Sequence, residues 1–377
     1  MNAIPIARIL GFEIRVHVSW AIILAIVAVT VSSEVGRTAP ATTELVRWLI
    51  GAGIAASFLL SALAHELGHA IAARRAGLPG GPVVLYFFGG AATPSLVATR
   101  ARDEVVVALA GPAVSLAVGG VLLLVTGVGE LVGSGPVQVL GRLALIVSGL
   151  NLLLGLVNLL PAYPLDGGRA VRGLVWSRTG DATRGVHLAA RIGRLLGLAF
   201  ATIGLVGILV VDSFDGLLLV LAGWFLVGSA RSVERIAAVD VLLEGILVAD
   251  VMDHDVPGVP PGLTVDTFAG QLLDGTTPAS VPVLAGNALL GLVGARQVRR
   301  LRRARWAGTR AEDLMISGDA LPRVAPSTTL RAVLEQLHRS GLDGLPVLDD
   351  GRFTGIVTQR AVAKVLRDRA QTRGAIP

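Results

Sequence analysis

The 377-residue sequence contains no cysteine, and only 16% of its residues are charged whereas 53% are hydrophobic. The absence of cysteine excludes disulfide bonds, a thiol nucleophile and any metal site with thiolate ligands. A bound metal would have to be held by His, Asp or Glu. A soluble globular protein carries about a quarter charged residues, so the shortage of charge indicates a membrane protein.

The few charges are unevenly distributed along the chain. Long stretches between residues 18 and 230 are almost free of charge, whereas residues 231–377 hold most of the acids and many arginines. We therefore predict a transmembrane domain over residues 1–235 and a soluble domain over residues 236–377. The start of the sequence lacks the features of a cleaved signal peptide, so the first apolar segment is expected to remain as a membrane helix.

Six apolar runs are long enough to cross a hydrocarbon core of ~30 Å, which takes about 20 helical residues. Basic residues collect in every second connection between these runs. Because cytoplasmic loops are enriched in Lys and Arg, both termini and the soluble domain are expected in the cytoplasm. The same bias explains the net charge of +6 without a nucleic-acid partner. The predicted spans are roughly 17–33, 46–73, 104–128, 137–160, 191–211 and 215–231.

One segment between the second and third spans predicts non-helical structure at membrane depth. Residues 80–94 are too few to cross as a helix, and Gly and Pro bound a β-prone run from Val83 to Phe88. We predict a short membrane-embedded β-hairpin or re-entrant strand. Non-helical backbone in a membrane must be covered by protein or line a water-filled cavity, so this segment is a candidate wall of an active-site cavity.

The soluble domain contains an internal repeat. Val281–Leu284 recurs as Leu345–Leu348, and Gly291–Val293 recurs as Gly355–Val357, each about 64 residues further along the chain. Each unit is predicted to form a strand, a helix, two strands and a helix. The pattern resembles a tandem pair of CBS modules, with repeats at approximately 246–307 and 309–372. The resemblance implies an α/β fold for this domain.

The second predicted span carries an H-E-x-x-H motif, formed by His65, Glu66 and His69. Residues four apart share a helix face, so both imidazoles can bind one Zn²⁺. Glu66 could then act as the general base for an attacking water. A chance match is the alternative, but three unpartnered ionisable residues in an apolar helix would cost several kcal/mol.

A catalytic zinc site usually has a third protein ligand, and Asp166 is the best candidate. It lies in the segment Asn158–Arg169, whose prolines should end the fourth span and whose glycines should free the backbone around the carboxylate. Taken by itself, Asp166 is better explained as an ordinary loop acid beside Arg169. Topology favours a ligand, because His65 lies roughly 13 Å inside the cytoplasmic boundary and Asp166 follows the fourth span on that side.

The two motifs together resemble the site-2 protease family of intramembrane zinc proteases. The resemblance is closest to the subgroup with C-terminal CBS modules, which includes the sporulation-factor-processing protease. It implies one zinc ion per chain, with His65, His69 and Asp166 as ligands and Glu66 as the general base.

The resemblance also assigns roles outside the metal-binding set. Asn158 would be catalytic, because it would hold the scissile carbonyl or the oxyanion. Pro164 would shape the loop near the substrate. Phe88, Gly89 and Gly90 would belong to the family's β-hairpin beside the active site, where an unwound substrate segment could pair with an edge strand.

The implied activity is hydrolysis of peptide bonds in or near the transmembrane segments of membrane-bound proteins. The family suggests anti-sigma or pro-sigma factors as substrates, and nothing in the sequence selects between them. Two alternatives from other classes stay open. The chain could be a transporter regulated by its CBS modules, or a scaffold that binds substrates without cutting them.

CBS modules often bind adenine nucleotides through a Gly-apolar-apolar-Thr/Ser-x-x-Asp pattern, whose Asp holds the ribose. The corresponding segments here, residues 291–297 and 355–361, both lack the Asp, and the first also lacks the hydroxyl. We therefore doubt nucleotide binding. A structural, substrate-contacting or dimerising role is expected instead, which leaves a homodimer through the CBS modules as an option.

Overall fold

A computed structural model describes residues 3–78, 80–86, 98, 100–132, 135–211, 216–273, 280–286, 288–318 and 321–372. The chain forms two compact units, Met1–Arg235 and Ile236–Pro377. The division falls within the last long helix of the first unit, which runs on to Leu243.

Long apolar helices dominate the first unit. Among the described residues, six helices have the length and composition to cross a membrane, which confirms the predicted polytopic helical fold. A shorter helix between the fourth and fifth of them was not predicted. The helices are α1 (Trp20–Thr38), α2 (Glu44–Arg75), α3 (Ala101–Val132), α4 (Gly135–Asn158), the short α5 (Asp166–Thr179), α6 (Ala182–Val211) and α7 (Gly216–Leu243).

Helix α6 begins at Ala182 rather than near residue 191, where the apolar run begins. Its first turns bury Val186, Ala189 and Ala190 although arginines lie among them. An amphipathic helix of this kind has no continuous apolar run. A search for such runs therefore finds only its membrane-spanning part.

Glycines set the distance between α6 and α7. An added Cβ on Gly223 would lie 2.3 Å from the carbonyl oxygen of Gly197, and one on Gly216 would lie 2.3 Å from that of Gly204. Helices in a membrane associate largely through close packing, which small residues permit. These two glycine pairs therefore bring the backbones of α6 and α7 together.

Substituting leucine for Gly223 should force α6 and α7 apart and lower the melting temperature of the detergent-solubilised protein by several degrees, because overpacking costs about 1–3 kcal/mol. Gly228→Leu is the matched control, since Gly228 lies on the same helix with nothing within 4 Å of its added Cβ. Thermal unfolding followed by size-exclusion chromatography measures the difference. Equal melting temperatures for the two variants would contradict this packing.

A three-stranded sheet covers part of α2. Strands β1 (Ala3–Ile9) and β2 (Phe12–His17) form an antiparallel hairpin, and β3 (Val83–Leu85) pairs parallel to β2, which gives the order β1-β2-β3. The hairpin turns at Leu10 and Gly11, both of which have positive φ, as a two-residue hairpin loop of type I′ requires. The inner face of the sheet packs on residues of α2, including Leu63 and Leu67.

The predicted strand at residues 80–94 is thus present, but its observed partner is the N-terminal hairpin. The sequence does not predict that hairpin, because its two strands come directly before a membrane helix and form no separate apolar run. Residues 87–97, including Phe88, Gly89 and Gly90, lie outside the described residues. The second strand of the predicted hairpin falls in that stretch.

The second unit consists of two similar α/β modules, which confirms the predicted CBS fold. A helix, an antiparallel strand pair and a second helix recur in each. The register of the pair shifts between Val283 and Leu284 in the first module and between Val347 and Leu348 in the second, which is the offset predicted from the sequence. The elements are α8 (Val265–Leu273), β4 (Ser280–Ala285), β5 (Ala288–Gly294), α9 (Ala295–Arg300), α10 (Ala311–Leu314), β6 (Ile316–Ser317), α11 (Leu330–Ser340), β7 (Gly344–Asp349), β8 (Arg352–Thr358) and α12 (Gln359–Thr372).

Candidate metal and proteolytic site

Helix α2 carries both histidines of the H-E-x-x-H motif on one buried face. His65 is 4% exposed and His69 is 5% exposed. Their rings lie 4.9 Å apart between centroids, and the two Nε2 atoms are 3.2 Å apart. The four-residue spacing thus produces the convergence of imidazoles that it predicts.

Asp166 completes the group. Its Oδ2 atom lies 3.1 Å from Nε2 of His65 and 3.1 Å from Nε2 of His69. Burial by itself would raise the pKa of the Asp166 carboxyl. Attraction to His69 and hydrogen bonds with both histidines outweigh that effect and hold this pKa below its ordinary value. The two short distances place this carboxylate oxygen where a third ligand would lie.

Asp166 is the first residue of α5, whereas the sequence suggested a loop freed by glycines. Gly167 and Gly168 are helical, and they serve a different purpose. An added Cβ on Gly167 would lie 2.3 Å from the carbonyl oxygen of Leu160, and one on Gly168 would lie 2.5 Å from the carbonyl carbon of Ala162. The two glycines let α5 start directly against the backbone of the preceding loop, which brings Asp166 to the histidines.

Helix α3 fixes the outer side of both imidazoles. Nδ1 of His69 donates to the carbonyl oxygen of Val107 at 2.7 Å, and Nδ1 of His65 lies 2.9 Å from the hydroxyl of Ser115. Between these contacts, an added Cβ on Gly111 would lie 2.2 Å from Nε2 of His69. The sequence analysis did not identify these partners of the histidines. The signal that could have found them is the spacing of three or four residues between small and polar residues in the third span.

The three inward-facing atoms fit a zinc ion. Because Nδ1 of His69 donates to a carbonyl, the Nε2 of this ring is the atom that can hold either a proton or a metal ion towards the Asp166 carboxylate. The lone pairs of this nitrogen and of the Asp166 carboxylate oxygen would repel each other at such a short distance unless a proton or a cation lay between them. The separations of 3.1, 3.1 and 3.2 Å approach the edge of about 3.3 Å that tetrahedral zinc requires. Among the described residues, this is the group of three donors suited to a metal.

The other predicted site residues are placed as follows. Glu66 is half-buried next to His65, and its carboxylate interacts electrostatically with both histidines and with Asp166. The Asn158 amide donates to the carbonyl oxygen of Leu154 in its own helix, at 2.9 Å. Pro164 lies in the loop that leads into α5.

The second unit contains a cavity. It has a volume of about 260 Å³, and its lining includes Arg296, Arg300 and Asp343. Gln297 occupies the position at which a nucleotide-binding CBS module has its ribose-binding Asp. Its side-chain oxygen accepts a hydrogen bond from the backbone N–H of Gly294 at 3.1 Å. This side chain is therefore engaged in capping α9.

Two family models match separate parts of the chain, and two curated relatives align with nearly all of it. The model described as Peptidase family M50 matches residues 118–200, and the model described as CBS domain matches residues 311–368. A protein of Mycobacterium tuberculosis, named as zinc metalloprotease Rip3, is 35% identical over 369 residues, which cover 97% of this chain and 93% of the relative.

Two further relatives come from other organisms. A Synechocystis protein, named as zinc metalloprotease sll0528, is 30% identical over 373 residues, or 98% of this chain and 97% of the relative. Among solved structures, a site-2 protease from Methanocaldococcus jannaschii is 27% identical, with a TM-score of 0.44, and the match covers 62% of this chain and 96% of that one.

Proposed function

Since the chain belongs to peptidase family M50, the site-2 proteases, we propose that it hydrolyses peptide bonds in or near the transmembrane segments of membrane-bound proteins. It is a multi-pass membrane protein and a metalloprotease by family, which confirms the resemblance found in the sequence. One observation carries the proposal for this chain: His65, His69 and Asp166 converge within 4.8 Å on helices of the membrane unit.

The mechanism that we propose assigns a distinct task to each side chain. His65, His69 and Asp166 would hold zinc, which supplies Lewis acidity to a water and to a peptide carbonyl. A carboxylate oxygen of Glu66 takes the proton of the attacking water and passes it to the leaving amine. Glu66 is suited to this task because it directly follows His65 and its carboxylate interacts electrostatically with both histidines.

Asn158 has a supporting role in this proposal. Its amide donates to Leu154, which leaves one further N–H of the same amide for a substrate oxygen. Orientation of the substrate carbonyl or of the oxyanion is the task that this group can perform. Pro164 shapes the loop between Asn158 and Asp166, along which the substrate would lie.

The substrate must be unwound before it is cut, because a helix hides its peptide bonds in its own hydrogen bonds. We propose that an extended substrate segment pairs with β3, a form of strand addition. Support comes from the position of β3 at the end of the order β1-β2-β3 and from the packing of this sheet on α2. The predicted substrate-binding residues Phe88, Gly89 and Gly90 begin three residues after the end of β3 in the sequence.

The positions of the arginines support cytoplasmic placement of both termini and of the CBS modules. For the modules we propose a structural, substrate-contacting or dimerising role rather than adenine-nucleotide sensing. The engagement of Gln297 with the backbone of Gly294 supports this, since no carboxylate takes that position. Membrane-tethered anti-sigma or pro-sigma factors are the substrate class that the family suggests.

Removal of zinc tests the proposed activity. The purified full-length protein should contain one zinc per chain, and treatment with a strong chelator should reduce cleavage of a co-reconstituted single-span membrane protein to background. Adding back one equivalent of Zn²⁺ should restore cleavage. Metal content is measured by atomic emission and cleavage by mass spectrometry of the products.

The same experiment separates the alternatives. A scaffold would bind zinc and the membrane protein without forming products, and a CBS-regulated transporter would leave the membrane protein intact while moving a solute across the vesicle membrane. Cleavage that continues undiminished after zinc has been removed would contradict the proposed mechanism.

A further inference from the structure

A buried carboxylate in the first turn of α3 contacts two arginines of α5. Glu104 is only 1% exposed, which is costly for an acid unless its charge is compensated. Its Oε1 atom lies 3.2 Å from Nε of Arg169 and 3.4 Å from Nη1 of Arg172. Glu104 therefore joins two membrane-unit helices through a three-residue ion cluster.

The two arginines belong to the helix that starts with Asp166. Arg169 follows Asp166 by three residues, and Arg172 follows by three more, so all three lie along one side of α5. Whatever fixes the arginines therefore also fixes the depth and the rotation of the Asp166 carboxylate. Glu104 fixes both arginines at once.

The face of α3 that carries Glu104 also positions the two histidines. Glu104, Val107, Gly111 and Ser115 follow one another at spacings of three or four residues, so they lie on one face of α3. Val107 and Ser115 contact His69 and His65. The face of α3 that orients the imidazoles is thus also the face that holds the helix of the carboxylate ligand.

We propose that Glu104, with Arg169 and Arg172, is a positioning residue that holds Asp166 in place for the metal. This inference rests on the proposed function, in which Asp166 is a zinc ligand. Packing of α3 against α5 does not require charge, because Gly173 lets α5 approach the backbone of Ala101 closely. An added Cβ on Gly173 would lie 3.0 Å from the carbonyl oxygen of Ala101. A buried ion cluster is a weak source of stability. It can instead fix the depth and rotation of α5, which apolar packing alone does not define.

Zinc affinity measured on the full-length protein in detergent tests the role of Glu104. Glu104→Gln should weaken zinc binding by roughly 10-fold in competition with a chelator, the lower end of the range for a direct partner of a metal ligand, because Glu104 acts through the two arginines. The visible absorption spectrum of the Co²⁺-substituted protein should change as well. Glu104→Asp keeps the charge and should recover part of the affinity. Glu130→Gln, an exposed carboxylate on the same helix, should match the wild type.

Neither measurement depends on cleavage. If the wild type cleaves no membrane protein, the proposed function fails, while the zinc affinities of the variants still decide the role of Glu104. Wild-type zinc affinity and Co²⁺ spectrum in Glu104→Gln would overturn the inference, even if that variant melts at a lower temperature.

A second pair of variants decides the case in which Glu104→Gln does not accumulate. Arg169→Gln removes the ion pair between Arg169 and Glu104, which is the nearer of the two to Asp166 along α5. Arg172→Gln leaves that ion pair in place. The inference requires Arg169→Gln to lose more zinc affinity than Arg172→Gln. Equal affinities for these two variants would overturn it.

Discussion

Substituting glutamine for Glu66 should reduce cleavage by about 10²–10⁴-fold, the usual contribution of a general base, while the zinc content stays at one per chain. Glutamine has nearly the same size as glutamate but cannot accept the proton of the attacking water. The three predicted ligands are untouched by this change, because Glu66 contributes no atom to the group of His65, His69 and Asp166. Single-turnover cleavage and metal analysis of the same preparation measure both quantities.

The control for this experiment is Glu130→Gln on α3. Glu130 is exposed near the far end of that helix, so its substitution removes the same charge without touching the site. Cleavage at wild-type rate in Glu66→Gln would refute the role of Glu66. Loss of zinc together with activity would instead place Glu66 among the groups that hold the metal.

A single added methyl group on Gly111 should disable the site. In Gly111→Ala the new Cβ would lie 2.2 Å from Nε2 of His69, the atom predicted to bind zinc, and contacts below 3.0 Å do not occur at real Cβ atoms. The imidazole has to move, and its Nδ1 contact with Val107 at 2.7 Å leaves little room to do so. We expect zinc affinity to fall and cleavage to fall by about 100-fold, since a misplacement of 1 Å can cost that much in rate.

Gly120→Ala provides the matched control on the same helix. Nothing lies within 4 Å of an added Cβ at Gly120, so this variant should bind zinc and cleave like the wild type. The comparison removes the general effect of replacing glycine by alanine in a helix, which is favourable by up to about 1 kcal/mol. Equal zinc affinity in the two variants would show that α3 does not approach His69 as described.

The proposed zinc ligands and the proposed general base could be picked out because each is unusual in its local sequence. His65, Glu66 and His69 stand out as ionisable residues in an apolar span, and their four-residue spacing is a property of any helix. Asp166 needed one further step, the count of membrane crossings that returns the chain to the same side. Neither argument requires knowledge of how the helices pack.

The supporting contacts could not be obtained in that way. Gly111 and Ser115 look like ordinary small residues of a membrane helix, and only the rotation of α3 against α2 gives them their contacts with the histidines. Glu104 was read as the boundary of an apolar run, although its burial against α5 is a tertiary effect. The sequence also placed Asp166 in a loop, because two adjacent glycines disfavour a helix. In the structure the glycines are helical, since only glycine permits the close contacts with Leu160 and Ala162.

Pairing of the N-terminal hairpin with β3 has a consequence for biosynthesis. Residues 3–17 precede the first two membrane helices and residues 83–85 follow them, yet these segments form one sheet. The chain must therefore return to its starting side of the membrane within its first 85 residues, so α1 and α2 insert as an antiparallel pair. The sheet can close over that pair while Asp166 is still to be synthesised. The histidine half of the site can thus be anchored before its carboxylate exists, and the proposed set of ligands is complete only after the fourth span has been made.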